Sequence, residues 1–141
     1  MSPAAAYAVT PEPAPIAAVK LTPEKITAAL RGFFRVAEAW QLSTEQAQIL
    51  LGRPARSTFY KWKRGEPSTV PYDTVRRISY VLGIYKALQI LFKEPQQADA
   101  WISRPSSDFG GGSALDRMLG GDMTDLAEVR VYLDAARGRG A

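Results

Sequence analysis

Arg53, Arg56, Lys61, Lys63 and Arg64 fall within the stretch LLGRPARSTFYKWKRGE, interleaved with Phe59, Tyr60 and Trp62. Cations at this density suit one task above others, the neutralisation of phosphates along a nucleic acid. The alternative is a basic helix whose charges only meet solvent while its aromatics fill a core. Hydrolytic or transfer chemistry fits poorly. The chain has no histidine and no cysteine, which removes histidine-based triads, thiolate nucleophiles and most zinc sites. Ser57 precedes Lys61 by four positions, one too many for an S-x-x-K nucleophile. We expect no enzyme, no catalytic residue, no metal and no cofactor.

If those cations work, a helix must present them. Arg56 to Arg64 reads as that helix, stopped by Gly65 and Pro67. Before it, TEQAQILLG reads as a shorter helix capped by Ser43 or Thr44 and ended by Gly52. Two short helices around a glycine turn have the geometry of a helix-turn-helix, with Ala47 as the small residue where they cross. Phe59 and Trp62, three residues apart, would form the buried side of the second helix. Arg56, Ser57 and Thr58, near the helix start, would reach base edges. Lys61, Lys63 and Arg64 would hold the backbone; Arg53 and Tyr60 complete the expected DNA-binding set. Arg76 and Arg77 would reach flanking phosphates.

Other elements follow from periodicity and capping. Thr22, Pro23 and Glu24 open a helix whose apolar face is Ile26, Leu30, Phe33, Phe34, Ala37 and Trp40. Asp73 to Lys93 reads as one long helix with two apolar stripes, Val75, Ile78, Leu82 and Tyr85, then Val81, Ile84, Leu88 and Leu91. Such a helix belongs at the centre of the packing. Pro95 and Pro105 bracket a further segment. Ser113 caps a short helix ended by Gly120 and Gly121. Asp122 opens a last helix that carries Leu126, Val129 and Leu133 inward and frays from Gly138. No strand pattern or repeat stands out, so the expected class is all-α.

Charge divides the chain. Its net +4 is the balance of a basic stretch from Lys20 to Lys93 and a mildly acidic remainder. Two different partners are implied. No apolar run is long enough to cross a bilayer. The lead MSPAAAYAVTPEPAPIAAVK, residues 1–20, is Pro- and Ala-rich and reads as a flexible segment, not as a signal peptide.

The second half carries a recognisable pattern: Leu91, Phe92, Pro95, Ala98, Trp101, Ile102, Pro105, Phe109, Gly110, Ser113, Leu115, Met118, Gly120 and Gly121. It resembles the toxin-binding domain of the MbcA/ParS/Xre antitoxins, and residues 44–65 resemble the Xre-type helix-turn-helix that precedes it. Ala114 stands where the family often has proline, and Ser107-Asp108 where it often has an asparagine. The ParS members, whose partner is a RES-domain toxin, are nearest in pattern. The resemblance implies an Xre-like helix-turn-helix bundle at residues 21–85 and a small helical toxin-binding domain at 86–141. It further implies a type II antitoxin that blocks an NAD-consuming RES-domain toxin and represses its own operon by binding operator DNA. The expected toxin-binding residues are Trp101, Phe109, Leu115, Val129, Leu133, Arg137 and Arg139, with the segment from Val129 to Ala141 at the toxin's active-site entrance. A cytoplasmic homodimer that assembles with two toxins completes the picture, with Phe33, Phe34, Trp40 and Tyr85 as candidates for the two-fold interface. A stand-alone helix-turn-helix transcriptional regulator is the alternative; a structural interaction module is a third.

Overall fold

The computed structural model describes residues 21–66 and 68–140; of Arg139 only the backbone is described. Expectations for residues 1–20, Pro67, Ala141 and the Arg139 side chain lie outside the described residues. Among the described residues seven α-helices run in order: α1 Pro23–Ala39, α2 Thr44–Leu50, α3 Arg56–Arg64, α4 Tyr72–Leu91, α5 Pro95–Trp101, α6 Ala114–Met118 and α7 Met123–Gly140. A single 3-10 turn, Ser107–Phe109, lies between α5 and α6. The described residues contain no strand, as expected of an all-α chain.

The helix starts follow the capping residues. Thr22 accepts a hydrogen bond from the Lys25 amide, with Pro23 in the first turn. Ser43 and Gln46 exchange side-chain and backbone bonds in a capping box, and Ser113 and Asp116 do the same for α6. Each box satisfies two donors that would otherwise stay orphaned. Before α7, the Asp125 carboxylate accepts from the Asp122 amide at 3.1 Å, so the bond runs opposite to the expected Asp122 cap.

Three helix ends, those of α1, α2 and α3, are closed by left-handed residues. After α1, Gln41 (φ +57) donates to Glu38 O while Leu42 donates to Ala37 O. After α2, Gly52 (φ +93) donates to Ile49 O and Arg53 to Gln48 O. After α3, Gly65 (φ +79) donates to Trp62 O and Glu66 to Lys61 O. All three are Schellman endings, and the first does without a glycine.

α4 lies at the centre. α1, α5 and α7 all pack on it, and its buried residues Ile78, Val81, Ile84, Ala87 and Leu88 join one continuous core with Phe33, Phe59, Ile102, Met118, Leu126 and Leu133. The expected domain boundary at residues 85/86 falls inside this helix. Gly83 is where α7 crosses it: a Cβ there would run into the Arg130 guanidinium.

Three expectations are corrected. Phe33 and Trp40 are 0% and 5% exposed, so they fill the intrachain core and cannot form a two-fold interface. Phe34 and Tyr85 are half-buried, with Phe34 edge-on to Phe33 and Phe59, and Tyr85 tilted against Trp40. The long helix ends at Leu91, with Phe92 extended, because Pro95 starts a new helix from an extended Glu94. The last helix is helical through Gly140, past the expected end at Gly138.

Candidate nucleic-acid interface and partner surface

α3 divides as its sequence requires. Phe59 and Trp62 are 1% and 3% exposed. Phe34 stands edge-on to Phe59 at 5.5 Å, and the Trp62 indole donates to Ser68 Oγ at 3.2 Å. These contacts fix the helix's rotation, which leaves Arg56, Ser57, Lys61, Lys63 and Arg64 exposed and Thr58 and Tyr60 half-buried. The Arg56 guanidinium lies over the Tyr60 ring, 5.8 Å from its centroid. Ala55 precedes the helix with no side-chain cap and the first turn holds no acid. Its first amides and the positive end of the helix dipole are therefore left for an outside acceptor.

The cations are not equivalent. Arg64 is tied to Glu66 at 2.6 Å; that hydrogen bond raises the guanidinium's pKa and lowers the carboxyl's. Lys61 and Lys63 have no ion pair among the described residues. Lys61, Lys63 and Arg64 also occupy the last turn, where cations complement the helix dipole. Arg31 and Arg35, one turn apart on α1, extend this basic surface. They line, with Lys63, a groove of about 710 Å³ between α1 and the far end of α3. Sequence reasoning passed over them because it used α1 only for its apolar face; their spacing on the opposite side was the available signal.

Arg53 differs from the rest. It is exposed and left-handed (φ +60), and its guanidinium lies against Gly121: a Cβ there would come within 2.6 Å of Nη1. Arg77, expected to reach a flanking phosphate, is instead engaged within the chain. Its side chain is 11% exposed, with Nε donating to Asp73 at 2.9 Å and Nη1 donating to Gly121 O at 2.8 Å. Arg76 is half-buried over the Tyr80 ring.

In the second half, the structure separates the expected toxin-binding residues. Leu115, Val129 and Leu133 are 7%, 0% and 1% exposed. They are core, because the inward stripe of α7 packs on α4 and α6. They can support a surface but cannot form one. Trp101 and Phe109 do reach the surface, and Tyr132, which the sequence pattern did not single out, completes their cluster. Trp101 and Tyr132 stack at 6.0 Å and 21°, and Phe109 lies 5.1 Å from Tyr132. The Tyr132 hydroxyl donates to Asp108 at 2.6 Å. Its position beside inward Leu133 and three after inward Val129 was the overlooked signal. The loop under the cluster is closed on itself, with Ser106 N–H donating to Gly112 O and Gly111 N–H to Ser106 O. Arg137 is exposed on the last described turn of α7, past Leu133.

No group of acidic residues that could hold a metal ion occurs among the described residues, and no described helix is long and apolar enough to cross a membrane.

Comparison with known proteins agrees with this arrangement. Residues 24–83 match the antitoxin Xre-like helix-turn-helix domain, and residues 87–139 match the antitoxin Xre/MbcA/ParS C-terminal toxin-binding domain. An uncharacterised protein of Sinorhizobium fredii, y4oB, is 52% identical over 114 residues, covering 81% of this chain and 88% of its own. Both matched domains occur in the order that the fold presents them and meet within α4, and the chain therefore belongs to the Xre/MbcA/ParS antitoxin family.

Proposed function

We propose that the protein neutralises a RES-domain, NAD-consuming toxin by covering its active site, and that it binds operator DNA through α3 to control its own expression. The observation that carries the toxin reading is the half-exposed cluster of Trp101, Phe109 and Tyr132 in the same half of the chain as the exposed end of α7. Aromatic anchors of this kind dominate binding energy when a partner buries them. Arg137 suits pairing with acidic groups at the mouth of a nucleotide pocket, with Arg139 its counterpart further along. Buried Leu115, Val129 and Leu133 act by holding this surface in shape.

The DNA reading rests on the uncapped start of α3 and on Lys61 and Lys63, which form no ion pair among the described residues. A homodimer would place two such helices on a palindromic operator, and two toxins per dimer would follow. Co-expression with a neighbouring RES-domain gene tests the whole. Restored growth supports the antitoxin reading, and continued toxicity favours the stand-alone regulator. Deleting residues 136–141 should restore the toxin's NAD consumption while leaving DNA binding intact. Full inhibition by the truncated chain would place the block in the folded cluster alone.

A further inference from the structure

Two turns far apart in sequence meet at Gly121, and the meeting involves the cation that opens the helix-turn-helix. Gly52 already supplies the left-handed residue that closes α2. Arg53 repeats that conformation at φ +60, directly before Pro54, where the backbone is further restricted. A side chain bearing a Cβ loses about 1–2 kcal/mol in this region, so glycine would serve the turn better. What arginine adds is its guanidinium, seated against the backbone of Gly121. That seat is itself built. Gly121 is left-handed (φ +92) and buried, a Cβ there would strike Arg53, and its carbonyl is held by Arg77. Arg77 is in turn fixed by Asp73 and covered by Gly52, where a Cβ would lie 3.1 Å from Nε.

The charges give this geometry a direction. Two guanidiniums meet at one turn, and the Asp73 carboxylate engages Arg77. Arg53 has no ion pair among the described residues. Its exposed cation, three residues before the uncapped start of α3, therefore stands ready for an outside anion. A cation held in place loses less freedom when it captures a phosphate than one that must be immobilised.

We propose that Arg77 and Gly121 are positioning residues for Arg53, so that the turn opening the last helix sets part of the DNA affinity of the helix-turn-helix. The proposal rests on the reading of α3 as a DNA-binding helix. A protein partner that shifts the start of α7 would then alter DNA binding without touching it, and DNA would alter partner binding by the same factor.

The test is a set of anisotropy titrations of the full chain with duplex DNA from immediately upstream of its own reading frame, repeated across salt concentrations. Arg53→Gly should weaken binding about fivefold at low salt and reduce the salt slope by about one unit, the share of one phosphate contact. Its melting temperature should hold or rise. Gly121→Ala should reproduce the loss of slope in the parent and add nothing in the Arg53→Gly background. Arg77→Gln, which introduces no Cβ at the turn, should do the same and covers the case in which Gly121→Ala does not fold. Additive effects, or unchanged slopes for Gly121→Ala and Arg77→Gln in a parent that binds DNA, overturn the positioning role alone. A parent that binds no duplex overturns the DNA reading and the positioning role together.

Discussion

The two halves of the protein expose their working groups in opposite ways. In the helix-turn-helix, residues that sequence assigns to a partner are mostly the ones that the fold leaves in solvent: Arg56, Ser57, Lys61, Lys63 and Arg64. In the C-terminal half, three of the apolar residues assigned to a partner, Leu115, Val129 and Leu133, lie in the core. A cation on a helix declares its side, because burying it unpaired is prohibitive. An apolar residue does not, since core and interface call for the same chemistry.

That contrast can be broken by substitution. The largest expected effect is at Phe59, where alanine should cost about 3–5 kcal/mol and abolish DNA binding only through unfolding; denaturant melts separate the two. Leu133→Ala should follow at about 2–5 kcal/mol. If it instead lost toxin affinity with an unchanged melt, Leu133 would belong to the interface and not to the core. Lys61→Ala with Lys63→Ala should leave stability within about 0.5 kcal/mol, while the salt slope of DNA binding falls by about one unit for each phosphate that is no longer neutralised. Tyr132→Phe removes the bond to Asp108 and should cost about 1 kcal/mol or less; a larger loss of toxin binding than of stability would assign the hydroxyl to the interface. The smallest change is a gain. Gln41→Gly replaces an exposed left-handed residue after α1 and should raise stability by about 1 kcal/mol in a urea titration.

The Arg64–Glu66 pair is expected to be silent in such melts. Glu66's carboxyl is lowered in the folded state, chiefly by its hydrogen bond to Arg64. Whatever stability it adds is present above its unfolded pKa and lost as pH falls through the lowered folded value. Both groups are solvent-exposed, so screening leaves little to lose.

The fold was legible where local rules acted without competition. Thr22 and Ser113 cap the helices they were expected to cap, Ser43 is the cap of the two residues offered for α2, and the three-residue step from Phe59 to Trp62 identified the buried side of α3. What could not be read was pairing at a distance. Phe33 and Trp40 looked like surplus apolar area until α4 was in place to cover them. Arg77 looked like one more cation until Gly121 came within its reach. Tyr132 went unread because its partners, Trp101 and Phe109, arrive from other segments. In each case the deciding neighbour lies many residues away in the chain, where periodicity carries no information.

One helix also governs how this molecule can be taken apart. α4 runs unbroken from Tyr72 to Leu91, a rod of about 30 Å, and both matched domains claim a portion of it. No loop separates them for a protease to nick, so limited digestion of the folded chain should not release two stable fragments. The same continuity bears on recombination. A chimera joined near residue 85 would need the donor's and the recipient's helices to agree in register as well as in sequence, since Ile84, Ala87 and Leu88 must still meet partners on both sides. Exchanging DNA specificity between relatives would therefore succeed more readily by replacing α3 alone than by trading halves.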